Sequence, residues 1–218
     1  MAGQPNSFSE PIVALMLRLR EFGIAEPTLL KVVESIPHEQ FVPAEFFSQA
    51  WKNQILPLAC GQTMPSPDTT LRMVSALNLT AEHSVLELGT GSGYQTALLA
   101  RLARKVISVD RYQSLLDTAK LRLDRLGLEN TTLTLADGNE GLAGQGLYDR
   151  IVCDLAYESM PRHLLEQLVS GGMVVTAIGD PQGEQMAVRL TKIGSRFDRE
   201  DLFPVRFGPF EFGTARAL

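Results

Sequence analysis

The chain has 218 residues, with 25 acidic and 20 basic side chains and a formal net charge of −5 at pH 7. This length suits one α/β domain or two small ones and is enough for a sizeable core. A composition of 44% hydrophobic and 21% charged residues argues against a largely disordered chain. The mild acidity disfavours a non-specific nucleic-acid binder. No secretory signal is visible, and the apolar runs are far shorter than the ~20 residues of a membrane span. We therefore expect a cytoplasmic protein with no membrane or nucleic-acid partner.

Residues 1–80 are predicted to form an N-terminal helical segment that covers the substrate, followed by an α/β domain over 81–218. Apolar side chains at helical spacing predict two helices before Pro37. A third helix is expected to begin near Pro67, because proline is well placed in a first helical turn. We expect both parts to pack as one compact unit.

From Ser84 onward, short β-rich runs alternate with helical runs. This order predicts βαβ units in a parallel sheet with right-handed crossovers. The predicted strands span 84–88, 105–110, 131–136, 150–154 and 173–178, and the predicted helices span 93–103, 112–126 and 161–169. Two later β-rich stretches, 185–190 and 201–207, have no clear helix between them and are placed as an antiparallel edge of the sheet.

The most informative segment runs from Val85 to Gly93, where a strand leads through a Gly-Thr-Gly-Ser-Gly turn into a helix. Gly89, Gly91 and Gly93 allow the backbone to turn sharply and to approach a ligand closely. The spacing is GxGxG and not the GxGxxG of a dinucleotide turn. S-adenosylmethionine has no pyrophosphate that needs a helix terminus, so this spacing favours S-adenosylmethionine over NAD.

Three acidic residues end or follow the predicted strands near this turn. Glu87 lies at the end of a hydrophobic strand, where a carboxylate needs a partner such as a cationic ligand group or a backbone amide. Asp110 lies 19 positions after Gly91, where dinucleotide-type folds place an acid against ribose hydroxyls. Asp137 follows the third strand, where a carboxylate can accept from an adenine amino group. The sequence therefore predicts a nucleoside site at the carboxyl edge of the sheet.

The segment VLELGTGSGYQTALLA, residues 85–100, resembles the first motif of protein-L-isoaspartate (D-aspartate) O-methyltransferases, in which Tyr-Gln typically follows the glycine turn. Shorter matches extend the resemblance over about residues 30–207, namely Ile36–Pro37, Phe41–Pro43, Leu56–Pro57, Gly61–Thr63, Asp137–Gly138, Tyr148–Ile151, Gly171–Gly172 and Phe203–Val205. The resemblance implies a Rossmann-like class I S-adenosylmethionine-dependent methyltransferase: an α/β fold with a mainly parallel sheet, an antiparallel C-terminal edge and an N-terminal helical extension.

The same resemblance implies methyl transfer from S-adenosylmethionine, leaving S-adenosylhomocysteine, to the free carboxylate of an isoaspartyl residue in a damaged protein or peptide. The ester then collapses to a succinimide that reopens partly as normal aspartate, which is protein repair. The implied cofactor-binding residues are Glu87, Gly89, Thr90, Gly91, Gln95, Asp110, Arg111, Asp137 and Gly138. The implied catalytic residues are Thr63, Ser66 and Asp154. No metal site is expected, because the three histidines are scattered and adjoin no cysteine cluster.

The substrate loop departs from the Gly-Gln-Thr-Ile-Ser pattern of that family. Pro65 stands at the position of the family's active-site serine, so either a shifted loop presents Ser66 or the hydroxyl is lost. Asp68 is either a helix cap or a site acid, and Asp154, which replaces a threonine, either accepts backbone amides or acts in the site. Extra acids there would repel a carboxylate acceptor, by about 4 kcal/mol for charges ~4 Å apart at an effective dielectric of ~20.

Three alternatives therefore stay open beside isoaspartyl methylation. The same cofactor could serve a different acceptor, with Asp68 or Asp154 as a general base or an amine anchor. The chain could be a cofactor-binding module without productive chemistry, an alternative suggested by Pro65 in place of the serine. An NAD enzyme is disfavoured by the glycine spacing. The sequence does not determine the oligomeric state.

Overall fold

The computed structural model describes residues 10–180, 182–208 and 212–215. In these ranges the α-helices are α1 (Glu10–Glu21), α2 (Pro27–Ser35), α3 (Pro67–Ala76), α4 (Tyr94–Leu102), α5 (Gln113–Arg125) and α6 (Arg162–Leu165). The strands are β1 (Leu56–Pro57), β2 (Thr63–Met64), β3 (Ser84–Leu88), β4 (Lys105–Asp110), β5 (Thr131–Leu135), β6 (Tyr148–Tyr157), β7 (Leu168–Gly179), β8 (Gln185–Ile193) and β9 (Arg196–Val205).

Seven strands form one sheet in the order β5-β4-β3-β6-β7-β8-β9. Strands β3 to β7 pair in parallel, whereas β8 and β9 extend the sheet in antiparallel fashion. The predicted α/β class, with a mainly parallel sheet and an antiparallel C-terminal edge, is confirmed. The direction of the strand order reverses around β3, whose neighbours are β4 and β6. Ligands of open α/β sheets bind at the carboxyl edge beside such a reversal.

The N-terminal helices share a hydrophobic core with the sheet. Leu15 of α1, Val33 of α2 and Leu71 of α3 are fully buried. They belong to the same apolar cluster as Val85 of β3 and Leu98 of α4. Burial of side chains of this size stabilises the fold by roughly 1.5–3 kcal/mol each. The helical extension is therefore packed onto the sheet, while the division at residue 80 stays a prediction.

The region around β6 and β7 differs from the prediction. Only Arg162–Leu165 is helical within the predicted helix 161–169, and β7 already begins at Leu168, which is fully buried and pairs with Tyr148. A strand is favoured over a helix here because Leu168 is paired and buried. The glycines at 171 and 172 also have weak helix propensity. Strand β6 continues to Tyr157 instead of ending at 154, and its register with β7 shifts between Val152 and Ala156.

Among the described residues, no helix is both long and apolar enough to cross a membrane.

Candidate active site

One cavity lies at the carboxyl edge of β3, β4 and β6. At one end its wall contains the glycine turn after β3 and Asp110 at the end of β4. At the other end the wall contains Asp154 of β6 and the segment from Thr63 to Pro65. This is the edge at which the sequence placed a ligand. The cavity also joins most of the predicted cofactor residues to Thr63 and Asp154 in one continuous space.

The glycine turn adopts backbone conformations that favour glycine. The φ angles of Gly89, Gly91 and Gly93 are 98°, 52° and 86°, which lie in the left-handed region. A Cβ atom added at Gly93 would lie 2.9 Å from the Cβ of Ala119 in α5. Glycine at position 93 therefore permits both the turn and the close packing of α4 against α5, as the spacing predicts.

Asp110 links the glycine turn to the end of β4. Its Oδ2 accepts the backbone N–H of Gly91 at 2.9 Å, and its Oδ1 accepts the backbone N–H of Tyr112 at 3.0 Å. Burial raises the pKa of Asp110, and the backbone N–H groups act in the opposite direction. Gly91, Tyr112 and Arg111 all donate backbone N–H groups to this carboxylate, which has about four acceptor positions in total. The carboxylate can therefore hold the turn and still accept from a ligand hydroxyl.

Glu87 lies behind the cavity wall. Its side chain is fully buried, and its Oε2 accepts the hydroxyls of Thr96 and Ser108, each at 2.5 Å. Burial raises the pKa of Glu87 to about 8. Its Oε1 has no hydrogen-bond partner within the described ranges. The sequence suggested a cationic group or a backbone amide as partner, whereas the observed donors are two hydroxyls.

Asp154 lies in β6 where the register with β7 is irregular, and it lines the cavity. Such irregularities redirect side chains near functional sites. Burial raises the pKa of Asp154 to about 7, and its buried Oδ1 has no partner in the part of the chain that is described. The sequence left open that Asp154 accepts backbone N–H groups, but its Oδ1 accepts none from the described residues.

Gln95, in the first turn of α4, lies close to both buried acids. Its amide lowers the pKa of Glu87 and of Asp154. Neither polar atom of the amide has hydrogen-bond geometry to a described residue, although the side chain is 6% exposed and lines the cavity. A buried amide without a partner costs roughly 1–3 kcal/mol. This site therefore offers one donor and one acceptor for a polar ligand.

Residues 212–215, here called the C-terminal strap, are held by Arg111 and Asp137 next to the end of the cavity that contains Asp110. Arg111 donates from Nε to the carbonyl of Gly213 at 2.8 Å and from Nη2 to that of Phe212 at 2.9 Å. Asp137 accepts the N–H of Gly213 at 2.7 Å and that of Asn139 at 3.0 Å. Arg111 lines the cavity, whereas Asp137 stands behind its wall and the following residue, Gly138, lines it. Both carboxylate oxygens of Asp137 thus accept backbone N–H groups.

The substrate loop places its side chains differently from the sequence prediction. Thr63 and Pro65 line the cavity, but Ser66 does not. Its hydroxyl accepts the N–H of Thr69 at 3.2 Å as the cap of α3 and donates to Oδ1 of Asn53 at 2.7 Å. The loop is therefore not shifted so as to present Ser66 to the cavity, and Pro65 lines it instead.

Asp68 is neither the cap of α3 nor a site acid. Its carboxylate is 2% exposed and accepts from Arg18 of α1 at 2.6 Å and 2.9 Å. This two-point ion pair fixes α1 on α3 and neutralises the acid. Asp68 therefore contributes no unpaired negative charge to the cavity.

The remaining cofactor candidates, Gly89, Thr90 and Gly91, all line the cavity. Arg206, which follows β9, also lines it and was missed by the sequence reasoning. The only nearby signal was the family match over Phe203–Val205. No group of three or more metal-binding side chains occurs within the described residues.

A family model described as protein-L-isoaspartate(D-aspartate) O-methyltransferase (PCMT) matches residues 11–213. The chain belongs to this family. A relative from Azorhizobium caulinodans is 42% identical over 94% of this chain and 94% of the relative. Another from Rhizobium meliloti is 40% identical over 89% of this chain and 96% of the relative. Both relatives are named protein-L-isoaspartate O-methyltransferase, so the resemblance inferred from the motifs is confirmed.

A solved structure supports the fold of this family member. A Plasmodium falciparum chain, crystallised with S-adenosyl-L-homocysteine, superposes with a TM-score of 0.76 over 91% of this chain and 97% of that chain. The two sequences are 18% identical. The predicted class I methyltransferase fold is confirmed by this likeness.

Proposed function

We propose that this protein transfers a methyl group from S-adenosylmethionine to the free carboxylate of isoaspartyl residues in damaged proteins or peptides. The observation that carries the proposal is the single cavity that joins Asp110 and the glycine turn to Thr63 and Asp154. In a chain of the isoaspartate methyltransferase family, this cavity has a nucleoside end and an acceptor end. A metal ion has no part in this proposal.

The residues of the cavity fit the proposed cofactor. Asp110 keeps acceptor capacity for a ribose hydroxyl beyond its backbone donors, and Gly138 allows a nucleobase to approach the backbone. The uncommitted amide of Gln95 offers the donor and the acceptor that the carboxylate and ammonium of the methionine part require. Arg111 and Asp137 support this end from outside by holding the C-terminal strap.

The chemistry requires alignment more than proton transfer. S-adenosylmethionine supplies a methyl group on a sulfonium, and an isoaspartyl carboxylate is already ionised at neutral pH. The chain therefore needs no general base, and its main task is to hold the carboxylate oxygen in line with the methyl group. We assign the acceptor end to Thr63 and Asp154. Ser66 is assigned to the cap of α3, because its hydroxyl is committed there.

The test is a methylation assay with methyl-labelled S-adenosylmethionine and an isoaspartyl peptide beside its aspartyl twin. We expect label on the isoaspartyl peptide alone. The matched control is Asp110→Ala, which removes the carboxylate that holds the glycine turn and should abolish labelling at low cofactor concentration. Label on both peptides, or on neither, contradicts the proposed acceptor.

A second candidate function keeps the cofactor and changes the acceptor. It is favoured by Pro65 in the cavity wall and by the Oδ1 of Asp154, which has no partner within the described residues. Tight cofactor binding with no label on either peptide would support this candidate, or a binding module. If Asp154 and Pro65 divert the acceptor, Asp154→Thr combined with Pro65→Ser should raise isoaspartyl labelling.

A further inference from the structure

The acceptor end of the cavity contains a cation that the proposed mechanism has not used. Arg206 directly follows β9, is exposed to solvent and lines the cavity. Within the described ranges its guanidinium has no hydrogen bond, ion pair or ring contact. The other cation of the wall, Arg111, is committed to the carbonyls of the C-terminal strap. Among the described residues that line the cavity, Arg206 is therefore the cation that is available to a ligand.

The backbone around Arg206 is held firmly. The side-chain amide of Gln185 in β8 accepts the N–H of Phe207 at 2.7 Å and donates to its carbonyl at 3.0 Å. Gln185 and Phe207 are 4% and 6% exposed, so both bonds are shielded from water. The next carbonyl, that of Gly208, accepts the N–H of Ala156 in β6 at 3.2 Å. Arg206 is thus an exposed side chain on an anchored backbone, beside the part of β6 that carries Asp154.

We propose that Arg206 binds the carboxylate that receives the methyl group and so sets the preference for an anionic acceptor. The inference rests on the proposed function. Asp110 and Arg111 occupy the nucleoside end, so the acceptor approaches from the β6 side, where Arg206 lies. A guanidinium donates charge-assisted hydrogen bonds to a carboxylate in a fixed geometry. A bond to one carboxylate oxygen leaves the second oxygen for the methyl group.

Arg206 also offsets the repulsion that the sequence predicted between acids near the site and a carboxylate acceptor. Asp154 lines the acceptor end and, when ionised, repels a carboxylate. Arg206 lies on the segment that pairs with the end of β6, so its positive charge opposes that repulsion. Asp68, the other acid in doubt, is neutralised by Arg18. The acceptor end can therefore hold an anion in spite of its acid.

The decisive experiment compares two peptides that differ only at the acceptor group. One has an isoaspartyl residue, and its twin has isoasparagine, in which an amide replaces the free carboxylate. Calorimetry measures the binding of each peptide to the protein saturated with S-adenosylhomocysteine. We expect the unmodified protein to prefer the carboxylate roughly 10- to 100-fold, the range of a charge-assisted hydrogen bond. Arg206→Gln should reduce this preference to within about threefold.

The matched control is Arg196→Gln, at the opposite end of β9. It changes the net charge by the same amount, and Arg196 is exposed and lies outside the cavity. The carboxylate preference should persist in this variant. In the methylation assay, Arg206→Gln should raise KM for the isoaspartyl peptide, with kcat and the affinity for S-adenosylhomocysteine unchanged within about twofold. The KM of Arg206→Lys should lie between those of the unmodified protein and Arg206→Gln, because lysine keeps the positive charge but lacks the planar pair of guanidinium donors.

Several outcomes would overturn the inference. They are a carboxylate preference that survives Arg206→Gln, an equal loss in Arg196→Gln, or an unmodified protein without such a preference. Binding of S-adenosylhomocysteine by Arg206→Gln verifies that the variant is folded. If the unmodified protein prefers the carboxylate, Arg206→Gln loses that preference and neither peptide is labelled, the proposed function fails while Arg206 remains the residue that binds the carboxylate.

Discussion

The buried carboxyl of Glu87 makes the stability of the protein depend on pH, and Glu87→Gln should remove that dependence. Burial raises the pKa of Glu87 from 4.5 to about 8, and repulsion by Asp154 acts in the same direction. The folded state thus binds this proton more tightly than the unfolded state. The resulting stabilisation is fully present below pH 4.5 and is lost as the pH rises through about 8.

The size of the effect follows from the two pKa values. Each pH unit between 4.5 and about 8 changes the free energy of unfolding by about 1.4 kcal/mol. Glu87 alone therefore removes about 5 kcal/mol over this window, a large part of the stability of a typical domain. Glutamine stays neutral, and its carbonyl oxygen can still accept from Thr96 and Ser108. Relative to the unmodified protein, the variant should therefore gain stability as the pH rises.

The assay is urea unfolding of the cofactor-free protein at about pH 5, 7 and 9. We expect the difference in free energy of unfolding between Glu87→Gln and the unmodified protein to shift by several kcal/mol, in favour of the variant, from the lowest pH to the highest. Glu82→Gln is the matched control, because Glu82 is exposed and lies just before the same strand. Parallel pH dependence of the Glu87 variant and the unmodified protein would refute the reasoning and place the pKa of Glu87 near its ordinary value.

Three further predictions follow from the cavity wall. Burial raises the pKa of Asp154 to about 7, so binding of an isoaspartyl peptide to the S-adenosylhomocysteine complex should weaken, by up to roughly tenfold per pH unit, above that pH. In Asp154→Asn the same titration should be flat. Gly93→Ala should destabilise the protein by roughly 2–4 kcal/mol in urea unfolding. Alanine is strained at the left-handed φ of position 93, and its Cβ would also crowd the Cβ of Ala119. Gly127→Ala, with a positive φ and no neighbour within 4 Å, should cost only about 1–2 kcal/mol. Asp110→Ala should weaken cofactor binding by ~1–3 kcal/mol in calorimetry; unchanged affinity would remove Asp110 from the site.

The parts of the fold that were predictable from the sequence depend on local patterns. The bounds of β3 and β4 and the turn that starts α4 match the prediction because strand runs and glycine spacing are encoded within a few residues. The antiparallel edge was predictable because β8 and β9 are connected without a helix. The segment after Pro161 was not, because Leu168 joins the sheet through its pairing with Tyr148, a contact that the helical pattern does not contain.

The roles of the polar residues were harder to predict, since their partners are distant in sequence. Asp68 pairs with Arg18, 50 positions away, and Asp137 accepts from Gly213, 76 positions away. A motif indicates that an acid follows a strand, but it does not indicate which side of the wall the side chain occupies. Arg206 was missed for the same reason, because its segment is anchored by Gln185 through Phe207 and by Ala156 through Gly208, both distant in sequence.

The proline at the serine position is compatible with methyl transfer to a carboxylate. A hydroxyl at that position would be one hydrogen-bond donor among several, and an ionised acceptor needs no proton removed. What the acceptor does need is a positive charge that binds it and offsets Asp154, and Arg206 supplies that charge from an anchored segment. The loss of a neutral donor weakens such a site by about 0.5–1.5 kcal/mol, whereas the loss of a charged one costs about 1.5–3 kcal/mol. The acceptor preference of this chain should therefore depend on position 206 more than on position 65.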